Sequence, residues 1–355
     1  KPIKRMNYRS GRRIIRLANS IGKDIDVHAE QNPREDANDG YVRLFIVKQR
    51  DDQNKDEVEK NIRHIMFEQT NDEKWVGEDT DVKSLTLEHM MAVRRLGFAE
   101  FFAPFSKVSK YQMTFLQGTV PELEFFTKEV LPIVKSINDG GRQALEILKE
   151  YSPLLSRQNK DKPYELYLRC RDAATRLTDF VNGNKTIRVV TEEIIKSQLL
   201  KVPDVVKQAY TLKLSELDET VAEDIRAWVE VMDLPISMIH KYDDYVNQKS
   251  QFDTHQGVKG LEFDRVMVII DDSEAKGFLF SYDKLFGVKG LSDADKRNLM
   301  EGKETSIERT QRLFYVTCTR AKNALAVVMY TYAPENVKKE AIDKGWFDEN
   351  EIINI

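Results

Sequence analysis

What most limits the fold is where strand-like apolar runs occur along the chain and where they stop. Val42–Val47 and Val82–Leu87 are short apolar runs, and helical patterns follow them over Asp56–Met66 and Glu88–Leu96. From about residue 105 to about 245 such runs vanish and helical spacing takes over. They return near Gln251–Thr254, Val266–Ile270 and Leu325–Tyr330. Strands that alternate with helices pair in parallel, because a parallel partner needs a long crossover, and such sheets are covered on both faces. The economical architecture is therefore α/β, with a parallel sheet interrupted by a mostly helical insertion. Its boundaries read as 1–104 and 248–355 for the sheet domain and 105–247 for the insertion.

Local signals fill in this outline. Asn7-Tyr8-Arg9-Ser10-Gly11 reads as a turn feeding a helix whose stripe is Ile14, Ile15, Leu17, Ala18 and Ile21, with Gly22 suited to its end. Inside the insertion, Thr119-Val120-Pro121-Glu122 has the form of a capping box with proline in the first turn, and Leu123, Phe126, Val130, Ile133 and Val134 follow at helical spacing. Further helices are expected over 141–151, 163–181 and 219–231.

Composition excludes several classes. Hydrophobic residues at 41% and charged residues at 32% suit a soluble cytoplasmic protein of two or three compact units and not a disordered chain. No apolar run approaches the roughly 18 residues of a membrane span, so no membrane partner is expected. The chain opens on Lys1 with basic residues and no apolar stretch behind them, which argues against a signal peptide and for a start inside a longer protein. Cys170 and Cys318 lie far apart without metal-ligand spacing and read as buried thiols; no metal site is expected. The net charge of −4 rules out a polycation. Seven cations do crowd the first sixteen residues (Lys1, Lys4, Arg5, Arg9, Arg12, Arg13, Arg16), and acids gather at Glu216, Asp218, Glu219, Glu223 and Asp224. On charge alone both clusters read as solvated helix faces.

Three separated segments carry the chemistry. The first is Asn7-Tyr8-Arg9-Ser10. The second is Thr254-His255-Gln256-Gly257-Val258-Lys259-Gly260-Leu261-Glu262-Phe263. The third is Glu308-Arg309-Thr310-Gln311-Arg312-Leu313-Phe314-Tyr315-Val316-Thr317-Cys318-Thr319-Arg320-Ala321. In order and spacing they resemble motifs IV, V and VI of superfamily 1 DNA helicases of the UvrD/Rep group, in the C-terminal part of those enzymes. Two departures stand out: Thr254 and His255 are adjacent where the family has Thr-x-His, and Gln311 replaces the first of a pair of arginines. The resemblance implies that the two ends build a RecA-like domain, called 2A, and that the middle is the 2B insertion.

The residue types suit this chemistry on physical grounds. Charge that develops on a γ-phosphate is stabilised by guanidinium groups, which stay protonated and fork onto oxygens, and Arg9 and Arg320 stand at a turn and a helix end from which they can reach across a cleft. Gly257 and Gly260 permit a tight turn, and Glu262 just beyond can accept a hydrogen bond from a ribose hydroxyl. The resemblance turns Tyr8 from core aromatic into a platform for adenine. It gives an ATP-binding set of Tyr8, Arg9, Gly260, Glu262 and Arg320, with Arg320 and Arg9 catalytic. It also sets Thr254 and His255 where motif V touches single-stranded DNA, with Lys259 adding sequence-independent phosphate attraction.

Val268-Ile269-Ile270-Asp271-Asp272 superficially resembles a magnesium-binding strand end but reads as an ordinary one. No Gly-x-x-x-x-Gly-Lys-Ser/Thr occurs in the sequence. ATP and Mg²⁺ are thus expected to be held mainly by an N-terminal RecA-like domain of the same protein, and this chain alone is expected to be inactive. The expected whole is an ATP-dependent helicase or translocase moving 3′ to 5′ on single-stranded and duplex DNA. Two other readings are a non-catalytic module with a degenerate helicase fold and the motor part of a helicase–nuclease.

Overall fold

The computed structural model describes residues 6–23, 25, 30–77, 79–141, 143–155, 163–275 and 279–355. Lys1, Lys4 and Arg5 of the basic cluster lie outside them. The chain forms two compact units, one from residues 1–95 and 251–355 and the other from residues 96–250.

The first unit is built on six strands: β1 (Tyr41–Lys48), β2 (Lys83–Thr86), β3 (Phe252–Thr254), β4 (Phe263–Ile270), β5 (Ala321–Thr331) and β6 (Ile352–Asn354). They lie in the order β3-β2-β4-β5-β1-β6 and every pair is parallel. Its helices are α1 (Arg12–Gly22), α2 (Lys55–Thr70), α3 (His89–Arg95), α4 (Tyr282–Leu285), α5 (Asp293–Met300), α6 (Ser306–Cys318) and α7 (Pro334–Asp343). Alternate residues of each strand face opposite sides. Val266, Val268 and Ile270 join Leu44, Ile46, Leu325 and Val327 in a core with Ile14, Leu17 and Ile21 of α1 and Phe314 of α6. Met267 and Ile269 join Phe45, Val47 and Val328 in a second core under Ile62 and Met66 of α2 and Trp75. Burial on both faces explains why the central strands read as continuous apolar runs.

The turn before α1 is fixed by its own residues. Asn7 Oδ1 accepts the N–H groups of Arg9 at 2.9 Å and Ser10 at 3.2 Å, the local closure that asparagine supplies in turns. Gly11 then donates to the Lys322 carbonyl at 2.8 Å. A Cβ on Gly11 would come within 2.6 Å of Gly40 Cα, so only glycine lets the two backbones approach this closely. Three cations of α1 are held by their own unit. Arg13 pairs with Glu351 at 2.6 Å, Arg16 with Asp348 at 2.5 Å, and Arg12 donates to the Glu35 and Ala37 carbonyls.

The second unit is helical, with helices over Ala99–Ser106, Leu131–Asn138, Ala144–Tyr151, Pro163–Asn182, Ile187–Ser197, Asp204–Thr211, Glu223–Val231 and Ser237–Val246. Among its described residues the sole strand-like pairing is an isolated bridge between Thr186 and Pro235. Its aromatic core explains why the unit starts before residue 105: Phe101, Phe102 and Phe105 lie against Phe115, Trp228, Tyr242 and Tyr245, with Phe105 and Trp228 centroids 5.0 Å apart. The capping box expected at Thr119 does not form. Val120 occupies the cap position without a side-chain bond, and Thr119 Oγ1 instead donates to the Thr114 carbonyl at 3.4 Å. The stripe from Leu123 to Val134 also passes through a widened π turn at Phe125–Val130. It sits just before Pro132, which has no N–H to return to the preceding turn.

Candidate nucleotide and nucleic-acid site

The fold brings the three sequence segments together at one edge of the sheet. Glu262 precedes β4 and Arg320 precedes β5, where parallel strands begin, and Arg9, just before α1, reaches this edge through its contact with Glu262. Arg9 Nη1 lies 3.3 Å from Glu262 Oε2, across 253 residues of sequence. Arg320 Nη1 donates to the Leu261 carbonyl at 2.9 Å, and its Nε donates to the Val316 carbonyl at 2.9 Å. Phe263 N–H donates to the Arg320 carbonyl at 2.9 Å, and Ser10 Oγ donates to the Ala321 carbonyl at 3.0 Å. The first and second segments are thus both hydrogen-bonded to the end of the third.

Electrostatics make this edge receptive to anions. Burial, and then the neighbouring charge of Arg9, lower the pKa of Arg320, while Glu262 partly opposes them. Both arginines also act on Tyr315, whose phenol is raised chiefly by burial and whose hydroxyl accepts from Gln31 Nε2 at 2.7 Å. Arg9 and Glu262 are 55% and 39% exposed, and an ion pair that open contributes about 0–1 kcal/mol. Arg9 does pair with a carboxylate of its own unit, but a weak pair yields readily to a more highly charged partner. Tyr8, 69% exposed, presents its ring beside them in sequence with no core to pack into.

In the loop from Thr254 to Glu262, two of the residues expected to touch DNA are buried. Thr254 is 4% exposed and its Oγ1 accepts the Gly257 N–H at 3.0 Å, closing the turn. His255 is fully buried, with Nε2 3.2 Å from the Leu85 carbonyl and Nδ1 3.0 Å from the Tyr282 hydroxyl. Both ring nitrogens are occupied, and the Thr254 and His255 side chains hold the loop's shape. Lys259 is exposed, and Gly260 has φ +91°, the left-handed region that glycine enters without strain.

Other positions acquire definite roles. Gln311 is buried and donates to the Ile21 carbonyl at 2.8 Å, capping the end of α1, which an exposed arginine would not do. Asp271 is fully buried at the end of β4 and receives Lys55 Nζ at 2.6 Å and Ser273 Oγ at 2.7 Å. Cys170 and Cys318 are free and buried. Asn7 and Ser10 belong to the turn read from the sequence and here fix its shape, whereas Tyr282 escaped the sequence reading, since nothing in the sequence connects it to His255.

A six-strand parallel sheet that gathers two arginines and a carboxylate at its edge, with a helical unit inserted in its chain, has the α/β architecture of a RecA-like fold. Residues 156–332 match the family described as the UvrD-like helicase C-terminal domain. The match takes in the second and third motif segments. Gabija protein GajB of Bacillus cereus (strain HuB5-5) is similar at 25% identity over 224 residues, which is 62% of this chain and 30% of that relative. The chain thus aligns with under a third of the relative's length. No helix among the described residues is long and apolar enough to cross a membrane.

Proposed function

We propose that this chain is the C-terminal motor half of an ATP-dependent DNA helicase or translocase, its sheet unit corresponding to 2A and its helical unit to 2B. In this reading ATP and Mg²⁺ are bound chiefly by an N-terminal RecA-like domain carrying the phosphate loop that this sequence lacks. Arg9 and Arg320 act in trans on the γ-phosphate, Glu262 accepts from the ribose, Tyr8 stacks on adenine and Gly260 lets the backbone turn. Lys259 attracts the phosphates of single-stranded DNA. Movement 3′ to 5′ belongs to the same proposal. The observation that carries it is the convergence of Arg9, Glu262 and Arg320, from three distant segments, on the edge where β4 and β5 begin.

The present contacts suggest how Arg320 acts. Its guanidinium is satisfied by two backbone carbonyls, so engaging a phosphate means exchanging the Leu261 carbonyl for a charged oxygen, a stronger acceptor. In the full-length enzyme, Arg320→Ala should lower DNA-stimulated ATP turnover by roughly 10³-fold or more with a much smaller change in KM, because the charge it meets develops in the transition state. Arg320→Lys should recover little, since an ammonium lacks the planar fork. Wild-type turnover in either variant, measured by phosphate release, would make Arg320 a structural residue and remove the catalytic assignment.

A further inference from the structure

The opposite face of the sheet unit holds a second concave site, away from α1 and the three motif segments. It encloses about 270 Å³ and is lined by Lys60, Arg63, His64, Trp75, Gly77 and Thr80. Lys60, Arg63 and His64 fall at i, i+3 and i+4 on α2, which sets them on one face of that helix. Arg63 Nη2 donates to Ser84 Oγ at 2.9 Å, but its Nε is buried without an acceptor. Trp75 is fully buried and its Nε1–H also has none. Glu59, one turn earlier on α2, does not serve Arg63 directly: Arg95 holds it, with Nε at 2.9 and 3.1 Å from its two oxygens. Burial accordingly lowers the pKa of Arg63, with Glu59 opposing from a distance. Native structures rarely leave buried donors without partners, and here two such donors belong to one pocket whose remaining polar groups are cationic or neutral donors.

We propose that this pocket binds one phosphate group, with Arg63 as the anchoring cation, Lys60 and His64 at the rim, and the Trp75 indole as a neutral donor. Guanidinium forks match phosphate oxygens, and a charged acceptor is what the unpartnered donors lack. A tetrahedral oxyanion fits within this volume. The phosphate is either free inorganic phosphate or one phosphate of a nucleic-acid strand. The inference does not rest on the motor reading, since no residue of this pocket belongs to the Arg9, Glu262 and Arg320 cluster.

The test uses the full chain titrated with inorganic phosphate at constant ionic strength, followed by calorimetry and tryptophan fluorescence. Saturable binding is expected, weakened about tenfold or more in Arg63→Gln and in the double variant Lys60→Gln/His64→Gln, the size of a lost hydrogen bond to a charged group. Trp75→Phe should weaken it severalfold. Lys296→Gln, which removes an exposed cation on α5 far from both sites in sequence, should leave it unchanged, which separates this pocket from a general effect of surface charge. The rim variants lie at exposed positions, so their effect is readable even if Arg63→Gln unfolds. A second arm adds an unlabelled single-stranded oligonucleotide. Competition with phosphate that is lost in the rim double variant assigns the group to nucleic acid, and absence of competition assigns it to free phosphate. No saturable phosphate binding, or equal affinity in wild type and the rim double variant, overturns the proposal.

Discussion

The imidazole of His255 is enclosed on every side, and the enclosure fixes its chemistry. A carbonyl can only accept, so Nε2 carries the proton toward Leu85 and Nδ1 accepts from the Tyr282 hydroxyl. Burial lowers the pKa to about 4, and the ring is neutral near pH 7. An unfolded chain titrates this group near 6.5, so between pH 6.5 and 4 the unfolded state binds the extra proton. The stability the ring contributes is therefore present above 6.5 and drains away as pH falls toward 4. On going from pH 7 to pH 5, wild type should lose roughly 2 kcal/mol more than His255→Gln, by urea unfolding at the two pH values. Parallel losses in the two proteins would mean that the ring titrates normally. The same residue shows the limit of sequence at this scale. A histidine in a glycine-rich loop gives no sign of whether it faces solvent or core, and its partner Tyr282 stands 27 residues away. That Arg9, Glu262 and Arg320 would share one edge could be expected because each belongs to a run whose neighbours also fit.

Among the elements, the segment from Thr254 to Glu262 is the most economical. Parallel strands usually need a crossover of a dozen residues or more, yet residues 255–262 link β3 to β4 directly. Thr254 pairs with Thr86, whereas Glu262 lies just before Phe263 at the other end of β4. One strap therefore runs from the edge where strands end to the edge where they begin, roughly 20 Å at 3.3 Å per residue. It is pinned midway by Val258, which is fully buried. At the first end it is held through His255 by Tyr282 of α4. Tyr282→Phe should leave His255 Nδ1 buried without a donor, at a cost of about 1–3 kcal/mol. Amide exchange over residues 255–262 should quicken in that variant while the helical unit keeps its rates. Unaltered exchange in the loop would show that Val258 and the Thr254 turn suffice. Long, doubly buried strands such as β4 and β5 were readable from apolar runs. β6, at three residues, is too short to show a pattern, and the π turn at Phe125–Val130 leaves the apolar spacing nearly helical.

At the scale of the whole molecule, the sheet unit is assembled from two separate stretches of the chain. Both of its hydrophobic cores are made solely of residues before 96 and after 250, and all six strands come from those two segments. The exit is anchored by Arg95, 4% exposed at its side chain, which meets Glu59 at 2.8 Å and Glu274 at 3.1 Å. The return is anchored by the Gln251 carbonyl, which accepts the Ser84 N–H at 2.8 Å. α3 packs beside β3, so exit and return lie close together in the same unit. Inserted domains with near-neighbour ends are tolerated because the host closes without them. Residues 1–95 joined by a short glycine–serine linker to residues 251–355 should therefore fold, with a dispersed amide spectrum and one cooperative urea transition. In that shortened protein Arg95→Met should destabilise by about 3–5 kcal/mol, because it strands two carboxylates in a buried site. The texture of the sequence put the change of unit near residue 105, and the aromatic stripe of Phe98 to Phe105 moves it to 96. A linker variant cut at 105 should accordingly expose Phe101, Phe102 and Phe105 and aggregate where the cut at 95 does not. If neither version unfolds cooperatively, the sheet unit needs the helical one to fold, and the insertion is a structural partner of the sheet.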